Sequence, residues 1–293
     1  MKNYATKFKH IVPTFLFVVV ASTFFVLLFR WVFTINSNIL HIKEDIFDMW
    51  VPIIFPWIPI TIWLTPKLKV LKINRKGSDA PLLFKFIAWA TMTAMMIISN
   101  SYLKTATGSL AEINTIEEAF NPNASYLKIN DFEIDRDYGS SHTEFRTSGK
   151  YGRKLNFDSY FVYPLKVESA ENKFKYWYGV EMHEQISKSL EPEEKEEKYQ
   201  VFFKQAIEDF KNYKFYEADY FEIVPHSIDR DGFINAIKRQ ENLSDIQPVI
   251  IRPKKGLYTN KNGHKLGWVF GSFAIGFSIF LFVLKFPVYS SKK

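Results

Sequence analysis

Cysteine is absent from the 293 residues, which excludes disulfide frameworks, thiol nucleophiles and cysteine-ligated zinc or iron–sulfur centres. Histidine is scarce, with six copies. His10, His41 and His264 flank apolar runs, while His142, His183 and His226 are scattered through the middle of the chain, so no converging set of imidazoles marks a metal site. No phosphate-loop spacing and no nucleophile elbow occurs. Charge of one sign is also missing where it would be needed to bind nucleic acid. The stretch 104–266 holds more acids than bases, so the remainder carries more than the entire net charge of +7. The positive excess therefore lies beside the apolar runs, where it bears on membrane topology.

What the chain does contain is long uncharged runs. Residues 11–29 are unbroken by charge and close to the roughly 20 residues that cross a bilayer core as a helix. Lys2, Lys7 and Lys9 precede them, and apolar character continues through Trp31, Val32 and Phe33. That is longer than the apolar part of a cleaved signal peptide, so an uncleaved anchor is expected, with Arg30 snorkelling to the headgroups. Residues 49–64 form a shorter run interrupted by Pro52, Pro56 and Pro59. It reads as a kinked span rather than a re-entrant one. If it turned back, the loop bearing Lys67, Lys69, Lys72, Arg75 and Lys76 would lie outside, against the positive-inside rule. Residues 82–99 and 266–284 complete the set, the last followed by Lys285, Lys292 and Lys293.

One topology satisfies every basic cluster: both termini and the loop 65–81 cytoplasmic, and the slightly acidic segment 104–265 outside. The expected location is a bacterial inner membrane, multi-pass, with a periplasmic domain. In the fourth run Gly267, Gly271, Ser272 and Gly276 recur at about four-residue spacing, a helix-association pattern in lipid. It suits either a dimer seam or packing against the other three helices through Ala88, Ala90, Thr91 and Ala94.

The segment 104–265 is long enough for one globular domain. Alternating apolar residues over 174–183 and 156–165 predict half-buried strands, with shorter strands at 126–134, 142–148, 220–224 and 248–252 and turns at Gly139, Gly149 and Gly152. The period changes over 191–213, where Tyr199, Phe202, Phe203, Ala206, Ile207 and Phe210 predict an amphipathic helix with acids crowding its start. A second, shorter helix is expected over 231–240. The fold class is thus a membrane protein of four transmembrane helices with an inserted α+β extracytoplasmic domain, a mostly antiparallel sheet plus two helices on one face. Short tethers at 105–109 and 254–265 join it to the spans.

Several constellations bear on chemistry. Glu181 and His183 share a strand face and make half of a metal or acid–base site, though a solvated sheet face explains them as well. Ser227, Asp229, Asp231 and Gly232 follow a calcium-loop spacing, but Lys238 stands where a bidentate Glu is required, so a helix N-cap and turn is the better reading. Ser140, Ser141 and His142 beside Gly139 are read as a hairpin turn. Lys150, Arg153 and Lys154 around two glycines would suit an anion, or a plain basic turn. Tyr160, Tyr176, Trp177 and Tyr178 are candidates for a ligand groove or for sheet core. No catalytic residue, metal or cofactor is expected.

The stretches 1–12, 42–69 with its Pro- and Trp-rich span, 106–110, 193–210 and 262–276 resemble the region that precedes the protease domain in some Bacteroidota rhomboid-family proteins. A rhomboid protease carries a Gly-x-Ser-Gly serine on one of six spans and a histidine on another. This chain has four runs, no Gly-x-Ser-Gly and no histidine within a run, and Gly271 and Ser272 are adjacent, the wrong spacing. The resemblance therefore transfers no catalytic residue and does not imply proteolysis. The expected function is a non-catalytic membrane protein whose periplasmic domain binds a partner or senses a ligand, as an accessory to a membrane protease or envelope complex. Its partners would be the bilayer and a membrane or periplasmic protein, or a second copy through the fourth run. The alternatives are a membrane-tethered enzyme whose site forms only in the fold, for example from Glu181 and His183, and a structural assembly subunit.

Overall fold

The computed structural model describes residues 2–37, 39–40, 42–72, 80–118, 124–169, 173–240 and 247–289. Arg75, Lys76, Lys292 and Lys293 of the predicted cytoplasmic loop and tail lie outside the described residues. The chain divides into two units, Met1–Thr107 with Lys261–Lys293, and Gly108–Asn260.

Among the described residues, four helical segments are long and apolar enough to cross a membrane: Tyr4–Asn36, Ile46–Leu68, Pro81–Thr107 and Tyr258–Val283, all in the first unit apart from Tyr258–Asn260. Their apolar character runs right round the helices. Phe15, Phe84 and Phe280 are fully buried, whereas Phe17, Phe24, Phe86, Phe270 and Phe282 are exposed, a distribution suited to lipid rather than water. Phe15 stacks on Phe280 with ring centroids 4.0 Å apart, and Phe84 meets Phe280 edge-on at 5.2 Å.

The second segment is longer than the predicted 49–64. It runs from a π-helical turn, Ile46–Trp50, through two short α-helical pieces joined by a turn at Phe55–Pro56 and a second π-helical stretch, Ile60–Leu64, to Thr65–Leu68, and its 23 residues, at about 1.5 Å each, exceed a core of about 30 Å. Its prolines are tolerated because the third helix, Ala80–Thr107, supplies replacement donors. Pro56 has no N–H for the Pro52 carbonyl, so the Thr93 hydroxyl donates instead at 2.8 Å. Trp89 Nε1 donates to the Ile53 carbonyl at 2.8 Å, and Asn100 Nδ2 donates to the Phe47 carbonyl at 2.8 Å. Freed backbone groups in an apolar medium require such partners.

The helices alternate in direction. At one end Lys7 Nζ donates to the Leu284 and Pro287 carbonyls at 2.6 and 2.8 Å, and a short antiparallel ladder joins β1 (Leu71–Lys72) to β9 (Val288–Tyr289). This end gathers the start of the first helix, the exit of the second segment and the exit of the fourth. At the other end Arg30 pairs with Asp48 at 2.7 Å and Lys104 pairs with Glu44. Of the four small residues in the fourth helix, Lys265–Val283, Gly276 abuts Thr91 of the third helix so closely that a Cβ would collide with its side chain, whereas Gly267 has nothing within 4 Å and Gly271 touches only Trp268 of its own helix. Among the described residues, Gly276 is thus where the small side chain admits close packing on the third helix. Ser272 donates its hydroxyl to the Val269 carbonyl at 2.9 Å.

The second unit is built on a seven-stranded mixed sheet. Its strands are β2 (Ser109–Ile113), β3 (Ala124–Ile129), β4 (Ser140–Ser148), β5 (Lys154–Pro164), β6 (Tyr176–Ser187), β7 (Tyr220–Ile223) and β8 (Val249–Lys254), in the order β2-β3-β7-β8-β6-β5-β4. β2 with β3 and β6 with β8 are parallel; the other neighbours are antiparallel. The predicted strand at 126–134 is cut short at Ile129, and Ile134 makes only an isolated bridge to Leu165. The tether expected at 105–109 is mostly the last turn of the third helix, and β2 starts at its end. The third helix runs to Thr107 and only Gly108 separates it from β2. A Cβ at Gly108 would come within 2.5 Å of the Tyr126 ring, so the junction requires glycine.

The two helices of this unit lie on opposite faces, not on one. Alternate residues of a strand point to opposite sides. Phe161, Tyr178 and Val180 pack with Ala206 and Phe210 of helix Pro192–Lys211, whereas Tyr160, Val162 and Trp177 pack with Phe233, Ala236 and Ile237 of helix Ile228–Lys238. Both strands are therefore apolar on both faces where helices cover them, which the alternation at their ends disguises.

Candidate functional site: an ion-paired sheet face

Helix Ile228–Lys238 begins at Ser227, whose hydroxyl accepts from the Arg230 N–H at 3.3 Å, with Asp229 and Asp231 in its first turn. The calcium-like spacing is thus an N-cap with dipole-favoured acids. The helix lies over Tyr160, Val162, Trp177 and Ile250. Beyond it, the same face of the sheet is polar, and the strands present a band of charge there.

On the β4–β6 side the band centres on Asp158, whose side chain is 7% exposed. Its Oδ2 accepts from Arg146 Nε at 2.7 Å and its Oδ1 meets His183 Nδ1 at 2.5 Å. Arg146 Nη2 also donates to the Tyr160 hydroxyl at 2.7 Å. Asn156 extends the network, accepting from Gln185 Nε2 at 2.6 Å and donating to the Arg146 carbonyl at 3.1 Å. Arg146 and His183 remain 36% and 51% exposed, so a buried carboxylate forms the floor and a guanidinium and an imidazole form the rim.

On the β6–β8 side Arg252 takes the centre. Its Nη1 reaches Glu181 at 3.4 Å and Asp229 at 3.2 Å, and its Nη2 reaches Glu222 at 3.2 Å. Lys254 meets the same Glu222 at 2.8 Å. Burial pushes the Glu181 carboxyl above the ordinary carboxylate range, the nearby Asp229 adds to the rise, and Arg252 opposes it. Burial works against the Arg252 charge, but Glu222, Asp229 and Glu181 outweigh it and the guanidinium is held more firmly charged than usual. Burial raises the Tyr160 phenol as well, against the pull of Arg146. Such charges tolerate partial burial only because each is paired.

The sequence candidates are dispersed by this geometry. Glu181 and His183 do share a face, but Glu181 turns to Arg252 and His183 to Asp158. Tyr160, Tyr176 and Trp177 cannot line one groove. All three are buried core residues, and Tyr176 belongs to the opposite face from the other two. Of the three, Tyr160 reaches the site, through its hydroxyl. Lys150, Arg153 and Lys154 border the turn between β4 and β5. Lys150 and Arg153 stack on Tyr151, 5.2 and 5.7 Å from its ring centroid, and Lys154 opens β5 opposite Ser148. Arg146, Asp158, Glu222, Arg252 and Lys254 were not singled out in the sequence. Their signal was charge at alternate positions of strands otherwise rich in buried apolar residues.

Chemically the band offers an imidazole–carboxylate pair, two guanidiniums and an acid with raised proton affinity, an arrangement suited to holding polar or charged groups. Among the described residues no group of three or more histidines and acids is placed to hold a metal ion. Compared with family models, with curated proteins and with solved structures, the chain matches none.

Proposed function

We propose that this chain is a multi-span inner-membrane protein without catalytic activity, whose extracytoplasmic domain binds a protein partner or a small polar ligand through the ion-paired face. The observation that carries this reading is Asp158, buried beneath an exposed Arg146 and His183. A purely structural sheet face gains little from burying a carboxylate, whereas a rigid floor under two exposed polar side chains preorganises them for a ligand. Orientation rests on charge. Lys7, Lys67, Lys69, Lys72 and Lys285 belong to the helix end at which β1 and β9 meet, and the positive-inside rule assigns that end to the cytoplasm. A place beside a membrane protease is part of the same proposal and rests on the resemblance of stretches such as 262–276 to rhomboid N-terminal regions.

The test is a photo-reactive amino acid at position 183, with a second variant carrying it at Val201 on helix Pro192–Lys211, each in the full chain in native membranes. A discrete adduct from position 183 that disappears in an Arg146→Ala background, with none from 201, supports the face as the binding surface. Equal or absent adducts at the two positions contradict it.

A further inference from the structure

β4 ends the seven-stranded sheet, and among the described residues no strand lies on its outer side. Edge strands usually carry a proline, a bulge or charges that block further pairing. β4 has no proline, lysine or bulge, and its charges, Glu144 and Arg146, are of opposite sign: it reads Ser-Ser-His-Thr-Glu-Phe-Arg-Thr-Ser, and its register with β5 is unbroken from Ser140↔Val162 to Ser148↔Lys154. Its first residues are closed off, since Arg239 Nη1 donates to the Ser141 carbonyl at 3.1 Å. At the other end Gly149, with φ +78°, turns the chain away. The open length is His142 to Ser148.

That length is self-complementary. Around Phe145 the order is Thr143, Glu144, Phe145, Arg146, Thr147. Reversed and laid alongside itself, it sets Glu144 opposite Arg146 twice, Thr143 opposite Thr147 twice, and Phe145 opposite Phe145. Phe145 is 55% exposed; it meets Phe157 and Tyr199 at centroid distances of 5.5 and 5.0 Å, and a second Phe145 would extend that aromatic group. Within its own chain Glu144 has only long contacts, with His142 Nε2 at 3.7 Å and Asn235 Nδ2 at 3.5 Å, besides the field of Arg146 on the same strand. Opposite charges, paired threonines and aromatic pairs are the cross-strand combinations that stabilise antiparallel ladders.

We propose that β4 is the seat of a second copy of this chain, the two β4 strands pairing antiparallel about a two-fold axis at Phe145 to make one continuous sheet. The interface is isologous, as a closed dimer requires, and is separate from any association through the fourth helix.

Because the chain has no cysteine, single cysteines report the register directly. Residues directly opposite in an antiparallel pair have Cα atoms about 4.5–5.5 Å apart, within disulfide range, whereas Thr143 and its own equivalent, four residues out of step, would be roughly 14 Å apart at 3.4 Å per residue. In full-length protein in native membranes, mild oxidation is expected to give a covalent homodimer from Phe145→Cys. Thr143→Cys and Thr147→Cys should each stay monomeric, and the double variant carrying both should dimerise. A Glu144→Arg change in the Phe145→Cys background, placing like charges opposite each other, should lower the dimer yield severalfold. A monomeric Phe145→Cys, cross-linking of Thr143→Cys alone, capture of a different protein by Phe145→Cys, or a yield indifferent to Glu144→Arg would each overturn the proposal.

Discussion

Replacing Gly232 by alanine sets two effects of opposite sign against each other. Gly232 lies inside helix Ile228–Lys238 and is buried, and alanine in a helix interior is favoured over glycine by about 1 kcal/mol. The new Cβ, however, would come within about 2.5 Å of the Tyr160 Cδ2 and Cζ atoms. Tyr160 is fully buried, stacks edge-on against Phe233 at 5.1 Å and has its hydroxyl held by Arg146, so the ring has nowhere to go. Overpacking of this kind costs about 1–3 kcal/mol, and the contact is close enough to place it at the upper end. The net expectation is destabilisation by about 1–2 kcal/mol. The helix should also lift from the sheet, loosening the Arg146–Tyr160 contact. Pulse proteolysis in urea of the full-length protein in detergent, following cleavage within residues 108–260, reads the change. In a Tyr160→Leu background, where the ring is removed, the same Gly232→Ala change should become neutral or stabilising. A Gly232→Ala chain more stable than its parent would refute the reasoning, because propensity alone would then govern the site.

Three further outcomes are expected. Arg146→Met leaves the Asp158 carboxylate buried with His183 alone from its original ion pairs and should cost about 2–3 kcal/mol, most of it recovered by adding Asp158→Leu; a single variant within a few tenths of the parent would show that Asp158 is solvated after all. Glu181 has a folded-state proton affinity above its unfolded value near pH 4.5. In that window the folded state holds more protons than the unfolded one, so this group's contribution is fully present below pH 4.5 and is lost as pH rises through the elevated value. Urea midpoints of Glu181→Gln and the parent should converge at low pH and separate in favour of Gln as pH rises; parallel curves would contradict the assignment. Thr93→Val strands the Pro52 carbonyl in an apolar interior and should lower the stability of the helical unit by about 1 kcal/mol, read by thermal unfolding in detergent, whereas Thr14→Val on the first helix serves as the neutral comparison.

The helices and most strands were legible because hydrophobic period and length carry them directly. The sheet's mixed character was not. Whether β6 neighbours β8 in parallel depends on pairings between residues about 70 positions apart, to which local period is blind. β2 was hidden because its five residues follow a helix with one glycine between, leaving no room for a turn signal. The second span looked short because its apolar run is flanked by Asp48 and Lys67, which the segment Ile46–Leu68 includes; its prolines suggested a kink, and the third helix, through Trp89, Thr93 and Asn100, supplies donors beside them. The site was half legible: Glu181 and His183 stood out as a pair, but their partners Arg252 and Asp158 come from other strands. Of the two readings of the aromatic residues, Tyr176 and Trp177 follow the sheet-core one, filling the core on opposite faces.

The functional reading depends above all on which side of the membrane the domain occupies, and labelling of introduced cysteines measures that directly. Ser189 is exposed just beyond β6, and Ser78 belongs to the basic loop, outside the described residues. With an impermeant maleimide on intact spheroplasts, the account predicts that Ser189→Cys is labelled and Ser78→Cys is protected until the membrane is permeabilised. Labelling of Ser78→Cys with protection of Ser189→Cys would contradict it.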